Sequence, residues 1–257
     1  MELTIGEVQE IVKDILRNTI EICDKNNITY YAQAGTVLGA IRHKGMIPWD
    51  HDADLVVPNN EINRFAEVLS RELPEKYYVD FPTVRSGSKR SFPRIGLKGY
   101  STDDLHIDIF RLIGLPDERN KQEAHLLSVK PYERAIKMLR VFDIKRVIKS
   151  KDYKLILSKL GLSKKNIDYY IGVHNELCDK IPYDEANYVA NPSGKYGTKN
   201  IFKKEIYGEG KIVNFEDFKI RIPSEYDFYL KQYYNDYMKT PSKEYIDEHM
   251  NKRYIVG

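Results

Sequence analysis

The chain has 257 residues, 41 Lys+Arg against 38 Asp+Glu for a net charge of +3, and 42% hydrophobic residues. That balance excludes a disordered tail, a collagen-like repeat and a disulfide-stapled miniprotein, and the length allows one large core without disulfides. Cys23 in an apolar-periodic stretch and Cys178 far downstream fit buried thiols in a reducing compartment better than a bridge or a zinc site.

The first residues carry neither a basic n-region nor an apolar h-region, and no 18 uncharged apolar residues run together, so a cytoplasmic protein is expected. Thr4-x-x-Glu7 is a capping box, and Val8, Ile11, Val12, Ile15, Leu16, Thr19, Ile20 and Cys23 follow at helical spacing, predicting a helix to Asn26-Asn27. Ile28–Ala32 reads as a strand, and Gly35-Thr36 opens a short helix through Ile41 that Gly45 terminates. Asp52–Val57 reads as a second strand stopped by Pro58, with Asn60 capping a helix to Leu73 and strands at Tyr77–Phe81, Phe92–Leu97 and Leu105–Leu112. From Lys121 to Lys180 the period is helical, with Ser163 as N-cap. Strands follow at Lys211–Phe215 and Phe218–Ile222, then a helix capped by Ser224-x-x-Asp227 to Tyr237, and a last helix from Ser242.

Asp50, Asp52 and Asp54 sit at i, i+2 and i+4, so a strand reaching that far points all three to one face. Unit charges about 6 Å apart at an effective dielectric of about 20 repel by roughly 3 kcal/mol, and a hard divalent cation with oxygen ligands compensates such repulsion. Asp108, flanked by Ile107 and Ile109, would be expensive to bury unpaired and would complete a three-carboxylate site with Asp52 and Asp54. On spacing alone the alternative stands that Asp50 is a turn residue, Asp52 and Asp54 line a solvated face, and Asp108 pairs with an arginine. Gly35-Thr36 stands between strand and helix, where backbone N–H groups can meet an anion, and Arg42, His43 and Lys44 follow at the helix end. A phosphate site facing a carboxylate–metal site is what phosphoryl or nucleotidyl transfer requires. The plain alternatives are a strand-to-helix turn and a dipole-favoured cationic helix end.

The run Ala34-Gly35-Thr36-Val37-Leu38-Gly39-Ala40-Ile41-Arg42-His43-Lys44-Gly45-Met46-Ile47-Pro48-Trp49-Asp50-x-Asp52-x-Asp54 closely resembles the signature of the LicD family, which includes the fukutin-related proteins. Ile107-Asp108-Ile109-Phe110 resembles its second acidic strand. Tyr196-Gly197-x-Lys199, Phe215-Glu216-x-Phe218, Ile222-Pro223 and Tyr229-Leu230-Lys231-Gln232-x-Tyr234-x-Asp236-Tyr237-Met238 resemble its C-terminal pattern, so the likeness runs from Ile28 to Thr240. The resemblance implies an α+β, nucleotidyltransferase-like mixed sheet flanked by helices, used to move a phosphorylated alcohol such as phosphocholine or a polyol phosphate from a CDP-linked donor to a glycan hydroxyl.

Under that resemblance Asp52 and Asp54 bind Mg²⁺ or Mn²⁺ with support from Asp50, and Asp108 completes the set and serves as base. Gly35 and Thr36 cradle a phosphate, Arg42 neutralises the transferred group with His43 and Lys44 beside it, and Lys199 reaches the leaving CMP. Arg94 and His106 read as structural. His51 and Ala53 depart from the family's usual Asp and larger aliphatic, on the side facing away from Asp52 and Asp54. Transfer of NMP from an NTP to a hydroxyl, and a binding module with a degraded site, are the competing readings.

The expected organisation is an α/β core with the metal site over residues 1–120, a mainly helical insertion over 121–185, and strands and helices over 186–257 that complete a single domain. The insertion carries ten lysines and arginines between Lys137 and Lys165 against Asp143 and Asp152, interleaved with Leu139, Val141, Phe142, Ile144, Val147, Ile148, Leu155, Ile156 and Leu160. That amphipathic basic pattern is able to lie on an anionic membrane surface, where a lipid-linked oligosaccharide acceptor would be met. The overall charge is too small to suggest a nucleic-acid partner.

Overall fold

A computed structural model describes residues 2–101, 103–140, 152–161 and 163–256. Strand β1 (Glu2–Thr4) leads into helix α1 (Ile5–Lys25), whose capping box closes as expected: the Thr4 side chain accepts from the Glu7 amide, and the Glu7 carboxylate accepts from the Thr4 amide at 2.8 Å. α1 buries Val8, Val12, Ile15, Leu16, Ile20 and Cys23, one stripe of a 3.6-residue period. Each such side chain removed from water stabilises the fold by about 1.5–3 kcal/mol.

The centre is a seven-stranded mixed sheet. β2 (Tyr31–Ala32) pairs antiparallel with β3 (Asp54–Pro58), and β3 pairs parallel with β6 (His106–Leu115). On the other edge of β6 lie β5 (Arg94–Leu97) and then β4 (Tyr77–Asp80), both antiparallel. The far half of β6 pairs β7 (Tyr188–Ala190), which pairs β8 (Ile201–Lys203). Leu55, Val56 and Val57 are wholly buried, as befits a central strand covered on both faces. Helix α3 (Ile62–Glu72) carries the chain from β3 toward β4 and packs on α1. The mixed sheet with flanking helices is the α+β architecture the sequence implied.

Helix α2 (Gly35–Leu38) runs into a π-helical turn, Gly39–His43. The long helix α4 (Arg119–Arg140) packs on α6 (Ile167–Asp179), with α5 (Tyr153–Lys159) beside α4. Leu126, Val129 and Cys178 join Ile113 and Leu115 of β6, while Ala135, Ile136, Leu139, Tyr170 and Ile171 form a separate small cluster. A hairpin, β9 (Lys211–Phe215) and β10 (Phe218–Ile222), precedes α7 (Tyr226–Tyr234) and α8 (Lys243–Met250), and β11 (Arg253–Ile255) returns to pair with β1.

Four local expectations are corrected. β3 begins at Asp54, so Asp50 and Asp52 lie in the preceding loop; β2 ends at Ala32, which pairs with Leu55, and offers them no ladder partner. Asn60 does not cap α3 but donates to Asp184 at 2.8 Å from within a 3-10 turn. Asn166, not Ser163, caps α6, accepting from the Tyr169 amide at 3.0 Å. Ser224 does not cap α7; its hydroxyl accepts from the Gly210 amide at 3.0 Å, and Glu225 stands at the cap without a side-chain bond.

Of the amphipathic basic stretch, residues 141–151 lie outside the described residues. Leu139 is buried against Ile136 and Tyr170 with Ile156 packed on it, whereas Leu160 is 51% exposed. Part of the apolar face is therefore spent on the core. Both cysteines are free and buried.

Candidate active site

The parallel register of β3 and β6 sets Asp54 directly opposite Asp108. Neighbouring strands run about 4.8 Å apart, so two carboxylates stand side by side at the strand ends. The loop before β3 adds Asp50 and Asp52. Gln9, reaching from α1, holds this loop through bonds to the carbonyls of Ile47 (3.0 Å), Pro48 (3.2 Å) and Asp50 (2.6 Å). The structure thus gathers Asp50, Asp52, Asp54 and Asp108, three of them by loop and register rather than by strand alternation.

The electrostatics record the crowding. Burial, the charge of Asp52 and a hydrogen bond to it push the Asp50 carboxyl up to about 7. Burial and then the charges of Asp52, Asp108 and Asp50 raise Asp54 well above the usual carboxylate range. An all-oxygen donor set held under such repulsion fits a hard divalent cation. Among the described residues no three metal-type side chains have already closed into a ligand cluster. Asp108 is taken up in part by Arg94, whose Nε and Nη2 donate to its two oxygens at 2.5 and 2.9 Å. A carboxylate offers about four acceptor positions, so this bidentate pair leaves some of its lone pairs available. His106 stands 3.8 Å from Asp108, and burial, then Arg94, depress its imidazole to about 4.

The Gly-Thr turn is pressed against this group. A side chain at Gly35 would put its Cβ 3.3 Å from Asp50 Oδ2, so glycine permits the approach. The Thr36 hydroxyl accepts from the Asp54 amide at 2.8 Å and the Thr36 amide donates to the Gln33 carbonyl at 2.9 Å, so Thr36 fastens the turn to the start of β3. Ala34 adopts φ 43°, a strained value for a residue with a Cβ. Tyr229 supports it: its hydroxyl accepts from the Ala34 amide at 3.0 Å and donates to Gln33 at 2.7 Å.

The basic residues after the turn face elsewhere. Arg42 donates through Nη1 to the carbonyls of Tyr237 (2.9 Å) and Lys239 (3.1 Å) and through Nε to His43 (2.9 Å), with its guanidinium 5.7 Å from the Trp49 ring centroid. Burial and Arg42 lower the His43 imidazole, which lies edge-on to Trp49. Lys44 takes a left-handed conformation, φ 61°, and its carbonyl accepts from the Glu216 amide at 2.6 Å, tying the turn to the β9–β10 hairpin. Lys199 is exposed in a 3-10 turn, its carbonyl bonded to Gln232. None of these cations is among the charges that act most strongly on Asp50 and Asp54.

Sequence reasoning missed the residues that the C-terminal segment contributes. Lys195, not Lys199, is the cation of that loop whose charge acts on Asp50. Tyr254 of β11 lies 5.0 Å, centroid to centroid, from His51, and its hydroxyl is raised by burial and by Asp50 and Asp52. Tyr234, bonded to Tyr196 at 3.1 Å, also feels Asp50. Tyr234 stands in the C-terminal pattern, though with no role attached to it, whereas no linear pattern announces Lys195 or Tyr254; the β1–β11 pairing and the packing of α7 bring Tyr254 and Tyr234 in.

Residues 27–138 match the family model described as LicD/FKTN/FKRP, nucleotidyltransferase domain. The chain is 28% identical to the lipopolysaccharide cholinephosphotransferase LicD of Haemophilus influenzae, over 99% of both chains. Shorter stretches match uncharacterized proteins of Rickettsia typhi (40% over 55 residues, 21% of this chain and 18% of that protein) and Rickettsia prowazekii (38% over 77 residues, 30% and 29%).

Proposed function

From the match of residues 27–138 to the LicD/FKTN/FKRP nucleotidyltransferase domain, we propose that the chain is a metal-dependent transferase moving a phosphorylated alcohol from a CDP-linked donor to a hydroxyl of a cell-surface glycan. The observation that carries the reading is the register pairing of Asp54 with Asp108, beside a loop that presents Asp50 to the Gly35 turn and sets Asp52 next to Asp50 and Asp54. Choline phosphate is the transferred group that the Haemophilus relative's name gives, and lipopolysaccharide its acceptor.

In this reading Asp52 and Asp54, supported by Asp50, hold Mg²⁺ or Mn²⁺, which would neutralise charge on the donor diphosphate. Asp108 accepts the proton of the acceptor hydroxyl on the lone pairs that Arg94 leaves open. Gly35 lets the backbone pack against the Asp50 carboxylate, so that a phosphate would meet the turn and the carboxylates from the same side. Arg42, anchored on the carbonyls of Tyr237 and Lys239 and beside Trp49, holds that segment rather than forking onto the phosphate, and Lys195 replaces Lys199 as the cation facing the leaving CMP. The acceptor glycan is met at the inner face of the membrane, with Lys137–Lys165 as the contact.

The test is product analysis across donors. The full chain, with Mg²⁺, is incubated with CDP-choline, other CDP-alcohols and CTP. CMP released from a CDP-alcohol, and lost in Asp52→Asn, supports the reading; pyrophosphate from CTP with no CMP from any CDP-alcohol replaces it with nucleotidyl transfer.

A further inference from the structure

A cleft of about 940 Å³ opens between α4 and the β5–β6 edge of the sheet, with Asp108 and Arg94 among its lining residues. Nine lysines and arginines line it against three carboxylates. Aromatic rings stand among them: Phe92 and Phe110, 4.8 Å apart, and Tyr132 and Tyr170, 6.3 Å apart. Flat apolar faces interrupted by cations suit a sugar chain that carries negative charge.

The cations are not spread evenly. Three guanidiniums of the cleft, from Arg94, Arg90 and Arg140, converge on one oxygen of Asp103, at 2.6, 3.1 and 3.2 Å. Their side chains are 11%, 5% and 25% exposed, whereas that of Asp103 is 58% exposed. Asp103 is thus shared by three guanidiniums, of which Arg90 also pairs with Asp80 and Arg94 with Asp108, and the surplus of cations lies in the wider lining of the cleft. Burial lowers the Arg140 guanidinium and the charge of Arg90 lowers it further, while Asp103 acts the other way. A phosphate brings up to two charges and three or more acceptor oxygens to the same donors.

We propose that this cleft is the acceptor subsite, that it takes a glycan bearing a phosphate, and that Asp103 occupies the phosphate position when the acceptor is absent. The proposal rests on the transferase reading for the word acceptor. Arg94 links the two sites, donating to Asp103 through Nη1 and to Asp108 through Nε and Nη2, so an anion drawn into the cluster lies one guanidinium away from the candidate base. Arg90 and Arg140 are binding residues in this account, and Asp103 is a competing internal ligand.

The experiment measures binding without turnover, by calorimetry on the full chain at low salt, with glucose 6-phosphate, glucose and CDP plus Mg²⁺ as probes. Glucose 6-phosphate is expected to bind at least tenfold more tightly than glucose. Arg140→Ala is expected to weaken it by about tenfold or more, the worth of a charged hydrogen bond, and to leave CDP affinity unchanged. Asp103→Asn, at an exposed position, is expected to tighten glucose 6-phosphate severalfold by removing its competitor; a merely structural cluster would lose affinity in both variants. The proposal is overturned if glucose 6-phosphate binds no better than glucose, if Asp103→Asn weakens it, or if Arg140→Ala weakens CDP equally, which would make the cleft the donor's. CMP release from CDP-alcohols is scored separately: its absence with the sugar-phosphate pattern intact removes the transferase reading alone, and the reverse removes the subsite alone.

Discussion

Asp54→Asn is expected to make the metal-free protein more stable at pH 8 and to change it little at pH 5. Asp54 and Asp108 are register partners, and carboxylates roughly 5 Å apart at an effective dielectric of about 20 repel by about 3 kcal/mol when both are charged. Arg94 on Asp108 offsets part of this, leaving about 1–2 kcal/mol, or roughly 2–8 °C in Tm for a chain of this size. Burial and the neighbouring carboxylates raise Asp54 well above its usual range, and burial with Asp52 raises Asp50 to about 7. A carboxyl raised in the folded state stabilises the fold fully below its unfolded value near 4, and that contribution is lost as pH rises through the folded value. The wild-type Tm should therefore fall relative to the variant as pH rises from about 4 through the folded value of Asp54, which asparagine cannot titrate, while the Asp50 titration is common to both proteins. Millimolar Mg²⁺ should restore the wild type, by about 2.7 kcal/mol at a hundredfold excess over Kd, and do far less for the variant. Calorimetric Tm curves from pH 5 to 8, with chelator and with Mg²⁺, provide the check. Parallel curves for the two proteins, or equal Mg²⁺ shifts, would refute both the carboxylate coupling and the metal assignment.

Gly35→Ala places a methyl group 3.3 Å from Asp50 Oδ2, so the carboxylate must shift by a few tenths of an ångström; CMP release should drop about tenfold with less than about 1 kcal/mol lost in stability. Unchanged kcat/KM would take Asp50 out of the site. Tyr229→Phe strips the partner from the Ala34 amide at φ 43° and should cost about 1–3 kcal/mol by denaturant unfolding; a change near zero would mean that the turn is held by other contacts. The full chain should co-sediment with anionic but not neutral vesicles and be released by salt, and Lys145→Glu with Lys149→Glu should weaken it; absence of sedimentation at low salt would assign the basic stretch to solvent alone.

The sequence by itself determined the local chemistry: the capping box of α1, the β-branched run that buries as β3, the last helix from Ser242, and the Gly35-to-Asp54 motif that lies within the stretch matching the LicD/FKTN/FKRP family model. Each depends on neighbours within a few residues, where spacing translates directly into hydrogen bonds and burial. What gathers the carboxylates was not legible. Alternation along one strand was the expected device, whereas Asp50 and Asp52 precede the strand and Asp108 arrives through a parallel register set by a partner more than fifty residues away. Tertiary packing also decided that Arg94 holds Asp108, that Arg42 spends its donors on residues 237 and 239, and that Lys195, Tyr234 and Tyr254 enter the site. A charge's partner is whichever opposite group the fold brings within a few ångströms, and pairings of that kind leave no period in the chain.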